Sequence, residues 1–106
     1  MKRTVAFMGK SGKFYEYQIF DLWPSFKDEP GNYSFAVDNG STIRPLYFGE
    51  SGSLKNRVSD IHERYLCAKQ SGANVVCAHL SSSDVSIRCA EERDLVDNYN
   101  PPCNRR

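Results

Sequence analysis

Three short runs of the chain alternate aromatic or branched residues with polar ones, and turn formers close them. In KFYEYQIF, residues 13–20, Tyr15, Tyr17 and Ile19 stand against Glu16 and Gln18, and in YSFAVDNG, residues 33–40, Tyr33, Phe35 and Val37 alternate up to Asp38-Asn39-Gly40. A period of two sends successive side chains to opposite faces of an extended chain, so these runs specify half-buried strands. RPLYFG, residues 44–49, is the third run, and its Pro45 belongs at the start of a strand or on a sheet edge. TVAFM precedes the first run across GKSG, which makes an N-terminal hairpin. GKS is not a phosphate loop, because the motif requires a glycine where Thr4 stands and a helix in place of the second strand.

At Ser53 the period changes. Leu54, Val58, Ile61, Tyr65 and Ala68 recur at alternating four and three, which predicts one helix from Ser53 to about Ser71, stopped by Gly72. NVVCAHL reads as a short apolar strand, and SSSD offers N-caps to a last helix ending near Asn98, before Pro101 and Pro102. DLWPSFKDEPGN is a connector whose Trp23 and Phe26 pack on the sheet. The order ββ-ββ-α-β-α predicts an α+β fold: a small, mainly antiparallel sheet flanked by two helices. At 106 residues and 40% apolar content the chain makes one domain with one core.

A net charge of +1 excludes a global field for nucleic acid or membrane, so any polyanion site must be local. The N-terminal apolar stretch is too short for a signal peptide and no run reaches transmembrane length, so a soluble, cytoplasmic protein without a membrane partner is expected. Cys67, Cys77, Cys89 and Cys103 lack the close spacing of zinc ligands and are expected to be buried free thiols. A minor alternative joins Cys67 to Cys77 and His79 in a metal site. A disulfide framework is not expected without export.

On the last helix, at about 100° per residue, Val85, Cys89, Val96 and Tyr99 form a narrow stripe with Glu92 in its middle, while Glu91 turns toward solvent. A carboxylate on a buried face costs several kcal/mol unless it is paired, hydrogen-bonded or bound to a cation. Glu92 is therefore either a structural partner of an arginine or a metal or catalytic group. On the first long helix Arg57 and Arg64 share one edge of the stripe, and His62 lies about 140° from Arg57. Gly49 and Gly52 in LYFGESGSLKNR form a tight strand-to-helix turn whose N–H groups suit an anion. An arginine, an anion-binding turn, tyrosines on adjacent strands and a semi-buried acid are parts for phosphodiester chemistry.

With those residues in place, the chain resembles the GIY-YIG nuclease superfamily. GNY (Gly31 to Tyr33) and YFG (Tyr47 to Gly49) stand for its two tripeptides, SLKNR supplies its arginine at Arg57, and ERDLV with NPPCN matches its glutamate, hydrophobic pair, proline and asparagine at Glu92, Leu95, Val96, Pro101 and Asn104. The matched region runs from Gly31 to Asn104. The resemblance implies a three-stranded antiparallel sheet flanked by helices, and cleavage of DNA with one divalent ion, Mg²⁺ or Mn²⁺. It implies Glu92 as the metal ligand, Arg57 on the scissile phosphate, and Tyr33 and Tyr47 positioning or deprotonating water. The metal would act on the leaving group.

Asn32 and Phe48 replace the usual isoleucines, the asparagine suggesting more exposure. His62 follows Arg57 by five residues instead of the commoner four, so either the helix kinks at VSDIH or His62 is not catalytic. Gly49, Ser51, Lys55, Arg64 and Asn104 are further candidate substrate contacts, and Arg44 a possible phosphate contact. The alternative is a nuclease-like fold that binds nucleic acid or protein without turnover; a structural domain held by ion pairs ranks third. The N-terminal hairpin extends the core, pairs two subunits or stacks on bases, core extension being preferred. Cutting both strands of a duplex from one site requires a homodimer or two visits.

Overall fold

The computed structural model describes residues 3–105. Two hairpins, β1 (Thr4–Met8) with β2 (Phe14–Asp21) and β3 (Gly31–Asp38) with β4 (Ile43–Ser51), are followed by α1 (Leu54–Arg57), α2 (Tyr65–Gln70), β5 (Val75–Leu80), α3 (Val85–Tyr99) and a 3-10 turn at Pro102–Asn104. The fold is α+β, with one five-stranded sheet in the order β1-β2-β5-β3-β4, every pairing antiparallel. β5 slots between the hairpins, pairing with Phe20 through Val76 on one side and with Phe35 through Val76 on the other. The N-terminal hairpin is thus an extension of the core sheet. Among the described residues no helix is long and apolar enough to cross a membrane.

The alternation read from the sequence sets which residues meet on each face. Tyr33, Phe35, Val76 and Ala78 point to one face, where Leu54, Val58 and Ala68 cover them. The connector closes the same face: Phe26 meets Phe20 edge-on at 5.2 Å and Trp23 meets Tyr65 at 4.5 Å. Phe7, Tyr17, Phe48 and Cys77 point to the other face, against Leu95 of α3. Burying an aromatic or leucine side chain of this kind contributes about 1.5–3 kcal/mol. Gly40 takes φ +94° in the turn between β3 and β4, where Asp38 accepts its N–H, as Asp-Asn-Gly predicts. Pro45 lies in β4, which is an edge strand; its outward backbone at Phe48 is met by Asn104, whose Oδ1 accepts from Phe48 N at 2.8 Å and whose Nδ2 donates to Phe48 O at 2.9 Å.

Several expectations are corrected. The helix predicted from Ser53 to Ser71 is two short pieces, because Val58 leaves α1 in an extended conformation (φ −93°, ψ 99°). Ser59 Oγ then accepts from Ile61 N and Ser59 O from His62 N, local bonds that compete with the helical ladder. Ile61, placed on the buried stripe by spacing, is 89% exposed. Cys67 and Cys103 are not free thiols but a disulfide tying α2 to the C-terminal turn, with Cα atoms 5.8 Å apart. That bond removes Cys67 from any site with Cys77 and His79. Cys77 is a buried free thiol, its pKa raised by burial to about 12, whereas Cys89 is exposed. Asn32 is fully buried, not more exposed.

The stripe on α3 is rotated by one residue from the expectation. Arg88, Glu91 and Leu95 face the sheet, while Val85 is 54% exposed and Cys89 is exposed. Glu91, assigned to solvent, is buried; Glu92 is half-buried on the flank of that face. The reason is polar pairing. Arg88 Nε donates to Glu50 at 3.0 Å and Arg88 Nη1 to Ser82 O at 2.8 Å, so charged residues occupy positions that an apolar stripe was expected to fill.

Candidate functional site

The register of β3 and β4 sets Tyr33 opposite Gly49 and Phe35 opposite Tyr47, which puts both tyrosines on one face with ring centroids 6.2 Å apart. Gly49 makes this possible. A Cβ there would lie 2.5 Å from Tyr33 Cζ and 2.6 Å from its hydroxyl, so the phenol lies directly over the glycine. Gly31 serves the backbone instead: a Cβ at that position would come within 2.4 Å of the His79 carbonyl oxygen and 2.7 Å of Leu54 Cδ1.

The interrupted helix carries His62 to the tyrosines. His62 Nε2 lies 2.7 Å from the Tyr33 hydroxyl, and the imidazole packs edge-on to Phe35 and Tyr47 at 5.1 and 5.2 Å. Arg64 N–H donates to His62 Nδ1 at 3.0 Å. A neutral ring with Nδ1 accepting carries its proton on Nε2, so His62 donates to Tyr33 and leaves the phenol proton free for another acceptor. Burial, reinforced by the nearby Arg57, lowers the His62 pKa to about 4. His62 is therefore neutral at pH 7 and its approach to Glu63, at 3.7 Å, is no ion pair. Burial raises the Tyr33 phenol far above its ordinary range, opposed by Arg57, and burial also raises Tyr47, aided by Glu92 and again opposed by Arg57.

Arg57, the last residue of α1, holds its guanidinium against these phenols but also grips Glu63, Nη1 to Oε2 at 2.7 Å and Nη2 to Oε1 at 2.5 Å. That bond, above all, raises the Arg57 pKa beyond its already high value and lowers that of Glu63 to about 2. Glu92 approaches from α3. Among the described residues it has neither a hydrogen bond nor an ion pair, and its pKa is raised to about 7, first by burial and then by Glu50. Such a half-buried acid supplies a hard oxygen donor with open valence. Mg²⁺ binds through one or two carboxylates and keeps several waters, and no group of three or more His, Cys, Asp or Glu able to hold a metal is present among the described residues.

The structure brings Tyr33, Tyr47, Gly49, Arg57 and His62 together, and the charge of Glu92 reaches this cluster at Tyr47. It gives other work to most of the remaining candidates. Ser51 Oγ donates to Ser53 O and accepts from Ser53 N, both at 2.9 Å, while Ser53 Oγ caps α1 at Asn56 N. Asn104 is bound to the backbone of Phe48. Arg64 Nη1 reaches Arg105 O at 3.4 Å, and Lys55 is exposed on the single turn of α1. Sequence reasoning missed Glu63, whose signal is an acid six residues after the site arginine, and Glu50, which follows Gly49 directly.

A second constellation lies on the other face. Glu91 Oε2 accepts from Tyr17 Oη and lies against His79 Nε2, each at 2.6 Å. One turn on, Asp94 accepts from Tyr15 Oη at 2.8 Å, Ser11 Oγ at 2.7 Å and Ser11 N at 2.9 Å. The hairpin thereby clasps α3. A concavity of about 710 Å³ beside Tyr15, Glu91 and Asp94 also takes in Lys13, Arg93 and Asp97, and it does not include Tyr33, Arg57 or Glu92.

These features define a small α+β protein in which Tyr33, Tyr47, Arg57 and His62 cluster on one face of the sheet. Comparison with protein-family models, with curated proteins and with solved structures returns no match to the chain.

Proposed function

We propose that the protein is a divalent-metal-dependent DNA endonuclease of the GIY-YIG type. The observation that carries this reading is Glu92, a half-buried carboxylate with no protein partner among the described residues, whose charge reaches the Tyr47 phenol, itself within the field of Arg57. Bound Mg²⁺ or Mn²⁺ would act as a Lewis acid on the leaving oxygen and supply the positive charge that Glu92 lacks. The other steps belong to the chain. Arg57 takes the scissile phosphate and stabilises charge on its non-bridging oxygens. His62 fixes the buried Tyr33 phenol through its Nε2–H, and the half-buried Tyr47 is the phenol that meets the attacking water. With its pKa raised by burial, Tyr47 orients water in preference to removing its proton. DNA is the partner, and because the net charge is near zero, the attraction for it comes from this end of the sheet.

The second reading is a module that binds nucleic acid or protein without turnover, and the occupied fork of Arg57 favours it. Incubating supercoiled plasmid and single-stranded DNA with Mg²⁺ or Mn²⁺ separates the two. The nuclease nicks the substrate, and Arg57→Ala and Glu92→Gln abolish nicking; intact DNA with the unsubstituted protein under all conditions refutes the nuclease and leaves the binding module.

A further inference from the structure

We infer that Glu63 is a built-in competitor for the anion site of Arg57, a carboxylate that occupies the guanidinium fork at rest and is exchanged for a phosphodiester when substrate arrives. The inference rests on the assignment of Arg57 as the phosphate-binding group.

Both terminal nitrogens of Arg57 point at the two oxygens of Glu63, at 2.7 and 2.5 Å. This parallel, two-bond arrangement is the one in which a guanidinium holds either a carboxylate or two oxygens of a phosphate. Glu63 therefore fills the same donors that a phosphodiester requires, with both of its oxygens engaged. The backbone allows the contact because the chain leaves the helix at Val58 and turns through Ser59 and His62, so residue 63 comes back over residue 57. A continuous helix would have put the two about 120° apart in azimuth, six residues on.

The pair is also poised to open. The Arg57 and Glu63 side chains are 39% and 60% exposed, and water is ready to solvate the carboxylate as it leaves. Exposed pairs of this kind are weak, so exchange of the carboxylate for a phosphate is a small barrier to a polyanion and a larger relative one to a lone anion. His62, adjacent to Glu63, holds Tyr33 through a separate bond, so release of Glu63 need not release the phenol. Glu63 thus sets a threshold: anions that bring further contacts displace it, and isolated phosphate does so poorly.

The test titrates inorganic phosphate, then a short DNA duplex without divalent metal, while following the Arg57 side-chain Nε–H resonance by NMR. Unsubstituted protein is compared with Glu63→Gln and with Asp60→Asn, which removes the same charge from an exposed position in the same loop. Glu63→Gln is expected to lower the phosphate concentration that half-shifts the Arg57 resonance by roughly 2–5-fold, and Asp60→Asn by less than half of that factor. Equal shifts for the two variants, weaker binding by Glu63→Gln, or no response of Arg57 to phosphate in any form would each overturn the inference. A phosphate response that follows the expected order in a protein that never cuts plasmid refutes the proposed nuclease while leaving the exchange at Arg57 standing.

Discussion

Glu91 and Glu92 are consecutive residues of one helix, with opposite environments. Glu91 lies over the sheet and has two donors on one oxygen, the Tyr17 hydroxyl and the His79 ring. Glu92 stands on the flank, half-buried, with no donor among the described residues, and its pKa is raised to about 7 by burial and Glu50. A buried carboxylate whose lone pairs are satisfied is a structural element, whereas one that is desolvated without partners is a candidate for a ligand. Burial alone does not separate the two, since the more buried glutamate is the one with structural work. Partner count does.

Substitutions at the two positions should therefore fail differently. For the proposed nuclease, Glu92→Gln is expected to reduce Mg²⁺-dependent plasmid nicking by about 10³-fold, the order of loss seen when an electrostatic catalytic group is removed, with folding intact. Glu91→Gln should keep nicking within about tenfold, and a greater loss there than at Glu92 would reverse the assignment.

The next effect is on stability. Glu91→Ala leaves a buried phenol and an imidazole without their acceptor, which should cost about 2–4 kcal/mol in urea unfolding. Glu92→Ala removes no bond and should cost less than about 1 kcal/mol. Equal losses at the two positions would remove the contrast.

The pH dependence sharpens it further. Glu92 must ionise to bind a cation, so at subsaturating Mg²⁺ the cleavage rate should fall by about tenfold per pH unit below pH 7 and level off above it. A flat profile between pH 5 and 7 would contradict an open acid. The smallest effect concerns the metal-free protein. An acid whose folded pKa lies above its ordinary value makes the fold bind more protons than the unfolded chain, so stability falls as pH rises through that window. Glu92→Gln should hence stabilise the metal-free protein by about 1 kcal/mol above pH 7, allowing for its partial exposure, and give no gain below about pH 4.5.

The sheet was legible because its signals are local: period-two alternation, Asp-Asn-Gly at a turn, a proline on an edge strand. The pairing of Tyr33 with Tyr47 over Gly49 follows from the same alternation once the register is set. The α1–α2 segment misled because its apolar spacing was helical while Ser59 and Asp60, local competitors for backbone bonds, interrupt it. The face of α3 misled because Arg88 and Glu91 are buried through partners on β4, β2 and β5, from Glu50 to His79, which no periodicity reveals. For the same reason the Cys67 to Cys103 bond was hidden: its halves are 36 residues apart and meet only when the C-terminal turn docks. Where an interaction spans the chain, sequence spacing is silent; where it closes within one turn or one strand, spacing speaks.

Paramagnetic broadening by Mn²⁺ tests the contrast between the two glutamates most directly, because it detects weak binding and locates it without requiring turnover. In the unsubstituted protein and in Glu91→Gln, resonances around Glu92 and Tyr47 should broaden, and in Glu92→Gln they should not. Broadening centred on Glu91 and Asp94, or broadening at Tyr47 that survives Glu92→Gln, would contradict the account.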